Sequence, residues 1–347
     1  MNYAVLLGKG RFADEFAGFQ AEGEPRKDFI EVARALSAEV SSYSSATYRR
    51  GSWFKRLFES RPLWGSAIDM ALRISRYRRV YVTGEDVGFR LAILLKLRGV
   101  EGRIVCFVHN MTPKKARILR WIGARPFARL ITNCSTQKQA LIDADFPEDK
   151  IVKVYHPIDD LFYSPDAASY DGPSTAFVSC GSENRDYAAL RSAASAVRGD
   201  VLVFGHGFFG SKFQEGTRPS DDPKNFHLMP RVPFIQLRDH YAKSLAVVIP
   251  LNDTLYAAGG TALLEAMAMG KTAIISRSRG LQDYLAAKPG LTPEPGNAAA
   301  LGEAMQRVES GAVDLAGIGM RNRRWIIENS SLDAYVARVT EIMSAAD

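Results

Sequence analysis

The stretch AVVIPLNDTLYAAGGTALLEAMAMGKTAIISRSRGLQDYL, residues 246–285, decides how the chain is read. Ala246 to Pro250 is a short apolar run of strand type. Thr261 to Met269 has the composition of a buried helix, and Thr272 to Ser276 is a second apolar strand. Between the first strand and the helix stands the turn Ala258-Gly259-Gly260. A strand that passes through a glycine turn into a helix leaves the first helical N–H groups unpaired, and these attract anions. Glu265, one helical turn further on, adds a carboxylate that can accept hydrogen bonds from the two adjacent hydroxyls of a ribose. Together Gly259, Gly260, Thr261, Ala262 and Glu265 point to recognition of a nucleoside diphosphate.

The same alternation of strand and helix runs through the whole chain. Tyr3 to Leu7, Arg79 to Thr83, Arg103 to Val108, Leu130 to Asn133 and Ile151 to Tyr155 read as strands. Helices fall at Arg26 to Ala38, Ala67 to Ser75, Phe89 to Leu97, Pro113 to Ile122 and Thr136 to Ala144. The pattern restarts with strands Ala176 to Cys180 and Val201 to Phe204 and helices Arg185 to Val197 and Phe234 to Ser244. Helices at Ala298 to Val308, Met320 to Asn329 and Leu332 to Ala345 finish it. Two doubly wound α/β domains facing across a cleft are expected. The boundaries read are 1–158, 159–329 and a terminal helix in 330–347 that packs back toward the first domain. His156 to Ser174, with three prolines, four aspartates and no helical period, reads as the linker.

Leu264-Glu265-Ala266-Met267-Ala268-Met269-Gly270, the strand Thr272 to Ser276 and the run Gly280 to Leu285 resemble the family 4 retaining glycosyltransferases, group 1 type. That family has the GT-B fold of two Rossmann-like lobes. Its signature places one Glu eight residues before another, and here the first position is Ala257. Phe177 to Ala193, FVSCGSENRDYAALRSA, is similar to the opening strand, turn and helix of the family's donor lobe, where basic residues hold the diphosphate. Arg185 is the guanidinium available there, and Ser182 stands where many relatives carry arginine. The resemblance covers roughly residues 151–345. It implies transfer of a sugar from a UDP- or GDP-linked donor to a glycan or lipid-linked acceptor, with retention of configuration and no metal or other cofactor. It further implies Asp283 at the donor loop, His109 and Arg185 as catalytic residues, and the loop Gly8, Lys9 and Gly10 at the acceptor or phosphate.

Two other motifs compete. Gly8-Lys9-Gly10-Arg11-Phe12-Ala13 follows a strand and satisfies the GxGxxA pattern of dinucleotide binding, but the acid expected about 20 residues on is Asp28, inside a helix. Gly205-His206-Gly207-Phe208-Phe209-Gly210 fits the pattern literally and is followed by a polar, proline-containing stretch where a crossover helix should stand. The alternatives are therefore a nicotinamide-dependent oxidoreductase or epimerase working at the Gly8–Gly10 loop, and a non-catalytic nucleotide-sugar-binding module. The five histidines lack metal-ligand spacing.

Composition bounds these readings. At 347 residues, 46% hydrophobic and 24% charged, the chain supports two globular domains and excludes a collagenous or wholly disordered protein. No apolar run approaches the roughly 18 residues of a spanning helix, and Met1 to Gly8 does not read as a secretory signal. Cys106, Cys134 and Cys180 read as reduced core thiols of a cytoplasmic protein. Residues 1–160 hold 27 basic against 18 acidic side chains, with acid-free windows at Val40 to Phe58, Met70 to Gly84 and Asn110 to Ile142. A one-signed surface of this kind suits an anionic partner. SWFKRLFESRPLWG, Ser52 to Gly65, mixes Trp53, Phe54, Leu57 and Phe58 with Lys55, Arg56 and Arg61, as PKKARILRWIGARPFARL does again. Basic aromatic helices bind anionic membrane surfaces, each nearby cation contributing about 1 kcal/mol. Such a surface joins the partners read here, as does a location at the inner face of the cell membrane; the competing reading is core packing with a solvated basic rim. No recognition helix, zinc spacing or aromatic RNA platform is present, and no nucleic-acid partner is expected.

Overall fold

The computed structural model describes residues 2–8, 23–169, 172, 174–205 and 222–345. They form two compact units. One gathers Arg26–Tyr155 with the first strand and the chain from Asp333 on; the other is His156–Leu332 with residues 23–25.

The first unit is built on a parallel sheet of six strands, β1 (Tyr3–Leu6), β2 (Glu39–Ser41), β3 (Arg79–Val82), β4 (Ile104–Val108), β5 (Phe127–Thr132) and β6 (Ile151–Lys153), in the order β2-β1-β3-β4-β5-β6. Helices cover both faces, so the strands are buried on both sides and read as continuous apolar runs. Ala4, Leu6, Val80, Val82 and Ile104 pack on one face with Met70, Leu91 and Leu119. Val5, Leu7, Tyr81 and Val105 pack on the other with Val32 and with Tyr335, Val339 and Met343 of the terminal helix Leu332–Ser344. The Tyr81 and Tyr335 hydroxyls lie 2.7 Å apart, and Arg79 donates to the carbonyls of Ile342 and Met343 at that helix's end.

The second unit repeats the architecture with β7 (Phe177–Cys180), β8 (Val201–Phe204), β9 (Phe226–Leu228), β10 (Ala246–Ile249), β11 (Ala273–Ile275) and β12 (Gly290–Leu291), all parallel, in the order β9-β8-β7-β10-β11-β12. This is the dinucleotide-fold order, in which the winding reverses between β7 and β10 and ligands bind at the carboxyl ends beside that reversal.

Three corrections to the sequence reading follow. First, β2, β9 and β12 were not expected, because strands of two or three residues at or near a sheet edge carry no apolar run long enough to register. Second, the helix Tyr43–Arg50 was not expected, Ser52–Phe58 is helical as its spacing suggested, and the helix expected at Ala67 to Ser75 starts earlier, as Pro62–Arg73. The first of these is set by the Ser42–Ser45 capping box, and the last opens on a proline suited to a first helical position. Third, the segment read as a linker is part of the second unit. Ile158 donates to the Ser330 carbonyl, Tyr163 is buried, and Arg238 lies over the Phe162 ring at 4.9 Å.

The basic windows are also less open than their composition suggests. Asp69 accepts from Arg49, Arg50 and Arg73, the last of which also reaches Glu39 at 2.7 Å. Lys115 pairs with Glu85 at 2.6 Å and Arg120 with Asp145 at 2.9 Å. All three cysteines are buried, and none is in a disulfide. Among the described residues, no helix is long and apolar enough to cross a membrane.

Candidate functional site

The loops leaving β7 and β10 meet at the reversal point of the second sheet. Two backbone bonds join them, from Asp186 to the Pro250 carbonyl and from Asn252 to the Asn184 carbonyl, both 3.0 Å. The second loop ends at Gly259, whose φ of +81° is the left-handed region that favours glycine, and which serves as N-cap without any side-chain cap. A side chain there would also press on Leu251 and the Arg185 guanidinium. The helix Gly260–Ala268 starts at once. Thr261 is exposed, and neither its N–H nor that of Ala262 makes a hydrogen bond among the described residues. Gly259, Gly260, Thr261 and Ala262 thus form the helix tip, Thr261 exposed and Gly260 and Ala262 buried, carrying the positive end of the helix dipole.

Arg185 lies against this tip. It is 4% exposed; its Nε donates to the Cys180 carbonyl and one Nη to the Glu183 carbonyl, each at 2.9 Å. The guanidinium packs against Gly181, itself at φ +91°, and against Gly259. It has no ion pair among the described residues, so a buried positive charge and the positive end of a helix share one corner. Held as it is, Arg185 adds a fixed positive field to the tip, a field that can attract an anion.

Glu265 is not placed as the sequence reading expected. It is 7% exposed on a helix buried nearly all round, and its carboxylate is turned inward. Oε1 accepts from the Tyr163 hydroxyl at 2.9 Å, Oε2 from the Tyr241 hydroxyl at 2.8 Å, and the Cys180 thiol stands 3.9 Å from Oε2. Burial pushes its pKa up; the bonds from Tyr241 and Tyr163 and the charge of Arg185 offset part of that rise. Burial likewise raises the Tyr241 and Tyr163 hydroxyls, beside Cys180 and Glu265, so they remain donors. With both oxygens occupied, Glu265 fastens the segment containing Tyr163, and the helix Phe234–Lys243 through Tyr241, to the tip helix.

Around the tip the structure adds residues that sequence reasoning missed. Asp253 accepts from the Arg279 side chain at 2.6 Å and its backbone N–H at 2.9 Å. Those bonds, outweighing slight burial, hold Asp253 below its usual range. Tyr256 donates to Glu183 at 2.8 Å and accepts from Asn184; burial and Glu183 push its hydroxyl up to about 12. Leu255 is exposed between Asp253 and Tyr256. The aromatic run Leu161-Phe162-Tyr163 inside a proline- and aspartate-rich segment was the available signal for Tyr163. Nothing local marked the others.

Asp283 stands half-buried in the first turn of Gln282–Leu285, following the Arg279–Leu281 turn. In the first unit, His109 is exposed at the end of β4. Its ring lies on Phe107 at 4.5 Å, its Nε2 is 3.0 Å from the Thr83 carbonyl, and its backbone N–H donates to Glu85 at 2.9 Å. Gly8 follows β1, while Lys9 and Gly10 lie outside the described residues, as do residues 206–210 of the second glycine motif. Among the described residues, no three His, Cys, Asp or Glu side chains gather in a metal-binding arrangement.

Comparison with solved structures gives the fold. HepE of Anabaena, solved in complex with UDP, superposes with a TM-score of 0.70 at 14% identity over 100% of both chains. A glycosyltransferase from Rickettsia africae ESF-5 gives 0.68 at 15% over 99% of both. WaaG, a glycosyltransferase involved in lipopolysaccharide biosynthesis, gives 0.64 at 11% over 99% of this chain and 100% of that one. The fold is the two-sheet GT-B fold of these proteins. Residues 177–310, which include the glycine tip and Arg185, match the model of the family described as Glycosyl transferases group 1. A search of the curated proteins returns no match.

Proposed function

We propose that the protein is a retaining glycosyltransferase that moves a sugar from a nucleoside diphosphate donor, UDP- or GDP-linked, to a glycan or lipid-linked acceptor. The observation that carries this reading is the buried, ion-pair-free Arg185 beneath the amides of Thr261 and Ala262. As the donor bond breaks, negative charge grows on the diphosphate. Amides and a guanidinium already in place stabilise that charge without reorganising, and no metal is called upon. The attacking hydroxyl gives its proton to the departing phosphate oxygen on the same face, which keeps the anomeric configuration. The solved complexes of HepE with UDP and with UDP-glucose support a uridine donor. His109 and the Gly8–Gly10 loop of the first unit are assigned to the acceptor side. The three buried thiols, none of them in a disulfide, fit a reducing compartment, and the protein is assigned to the cytoplasm.

Thermal unfolding with UDP, GDP and ADP tests the site. One of the uridine or guanosine diphosphates stabilises the protein, by about 2.7 kcal/mol at a hundredfold excess over its Kd. Arg185→Met weakens that binding on the order of 10- to 100-fold, as expected for loss of a charge-assisted contact. Absence of stabilisation by all three would overturn the donor assignment. Proton NMR of the product's anomeric centre then reads the stereochemistry.

A further inference from the structure

The first unit carries an apolar face that the described residues leave uncovered. On the helix Ser52–Phe58, Phe54 and Phe58 point inward, their rings 4.7 Å apart, and Phe54 is buried. Trp53 and Leu57, four residues apart and so on one face, are 62% and 61% exposed; Tyr48 on the preceding helix is 93% exposed. Isolated exposed apolar residues are ordinary, but a tryptophan and a leucine paired on the outer face of a helix whose inner face is also apolar are not explained by this unit's core. Exposed Arg56 shares that outer face. Lys55 and Arg61 are exposed beside it, and none of the three makes an ion pair among the described residues. The other basic aromatic stretch differs: Trp121 lies under Lys96 at 4.5 Å, Arg120 pairs with Asp145, and Arg125 with Glu101.

We infer that the Trp53–Leu57 face docks onto an anionic phospholipid surface. An indole and a leucine reach the boundary between headgroups and acyl chains, while Lys55, Arg56 and Arg61 meet the lipid phosphates around them. Charge selects this occupant: the face offers three unpaired cations against the single acid Glu59, and an anionic bilayer supplies a continuous field of the opposite sign. The donor assignment plays no part in the argument.

Full-length protein is spun with sucrose-loaded vesicles of phosphatidylcholine alone and of phosphatidylcholine with phosphatidylglycerol. Sedimentation with the anionic vesicles is expected, with little on neutral ones and release at high salt. Lys55→Glu with Arg56→Glu weakens binding about tenfold or more, and Trp53→Ser with Leu57→Ser weakens it severalfold. Met320→Ser, an exposed apolar site in the second unit, leaves it unchanged. Circular dichroism melting checks each variant's fold, and salt release of the wild type gives the electrostatic readout without any substitution. Failure of the wild type to bind anionic vesicles overturns the inference, as does equal binding to neutral ones or by the charge-reversed variant. A dimer in sedimentation velocity that Trp53→Ser dissolves would also overturn it, by assigning the face to a second copy.

Discussion

Asp69 in the first unit and Glu265 in the second are both carboxylates withdrawn from solvent, 1% and 7% exposed, yet they are held by opposite means. Three guanidinium groups surround Asp69, those of Arg49, Arg50 and Arg73. Two phenols and a thiol surround Glu265. Burial is the largest influence on each and pushes both carboxyls up. At Asp69 the bond from Arg49, the charges of Arg73 and Arg49 and the bond from Arg50 overturn it, and the pKa ends below its usual 3.8. At Glu265 the bonds from the Tyr241 and Tyr163 hydroxyls and the charge of Arg185 offset the burial only in part, and the pKa stays above its usual 4.5. A buried carboxyl stays ionised where hydrogen bonds and nearby positive charge together outweigh its desolvation, as three guanidinium groups do for Asp69 and two phenols with the charge of Arg185 do not for Glu265.

The largest expected effect is at Asp69. Asp69→Asn leaves three cations around a neutral amide, and urea unfolding should show a loss of about 3–5 kcal/mol, the usual result of breaking a buried ionic cluster. A loss under about 1 kcal/mol would mean that the arginines are already solvated, and the contrast would go. At Glu265 the shape matters more than the charge. Glu265→Ala strands two buried hydroxyls at about 1–3 kcal/mol, whereas Glu265→Gln, which can bond both, should cost less than that in the same titration.

The pH dependences should run in opposite directions. Asp69, and Glu39 whose pKa is lowered by Tyr77 and Arg73 against its own burial, stabilise the fold above their ordinary values and lose that contribution as pH falls through the lowered ones. Urea midpoints should therefore drop below about pH 4, less steeply in Asp69→Asn. Glu265 holds its proton more tightly folded than unfolded. Its contribution is fullest below 4.5 and declines as pH rises from there to its raised folded value, a decline that Glu265→Gln removes. Parallel slopes for wild type and Glu265→Gln across that window would show the carboxyl to be charged and paired, as Asp69 is. The smallest expected effect is a coupling. UDP and 2′,3′-dideoxy-UDP titrated into wild type and Glu265→Gln should differ by the same ratio, within about 0.5 kcal/mol, because residues without contact act additively. A coupling above about 1 kcal/mol would show the carboxylate leaving its tyrosines for the ribose.

What was legible in the sequence was whatever is local. The buried strands announce themselves as apolar runs, and the tip is written in Gly259 and Gly260 because the helix must begin immediately after the turn. The environment of Glu265 was not legible, since its partners lie 102 and 24 residues away and one sits in a stretch that looks like a linker. The charge windows misled for a related reason. Val40 to Phe58 and Met70 to Gly84 contain no acid, but Asp69 immediately precedes the second, and arginines from both windows fold onto it. Trp53 and Phe54 are adjacent in sequence and opposite in fate, which composition cannot separate and three-dimensional packing does.

The return of the terminal helix to the first sheet sets an order for biosynthesis. His156–Leu332 runs without interruption, so the second unit can assemble while synthesis continues. The first cannot: Val5, Tyr81 and Val105 await Tyr335, Val339 and Met343. Until Tyr335, Val339 and Met343 are made, the part of that face not packed by Val32, Ala33 and Leu36 stays uncovered, and a stop introduced after Leu332 would leave it so.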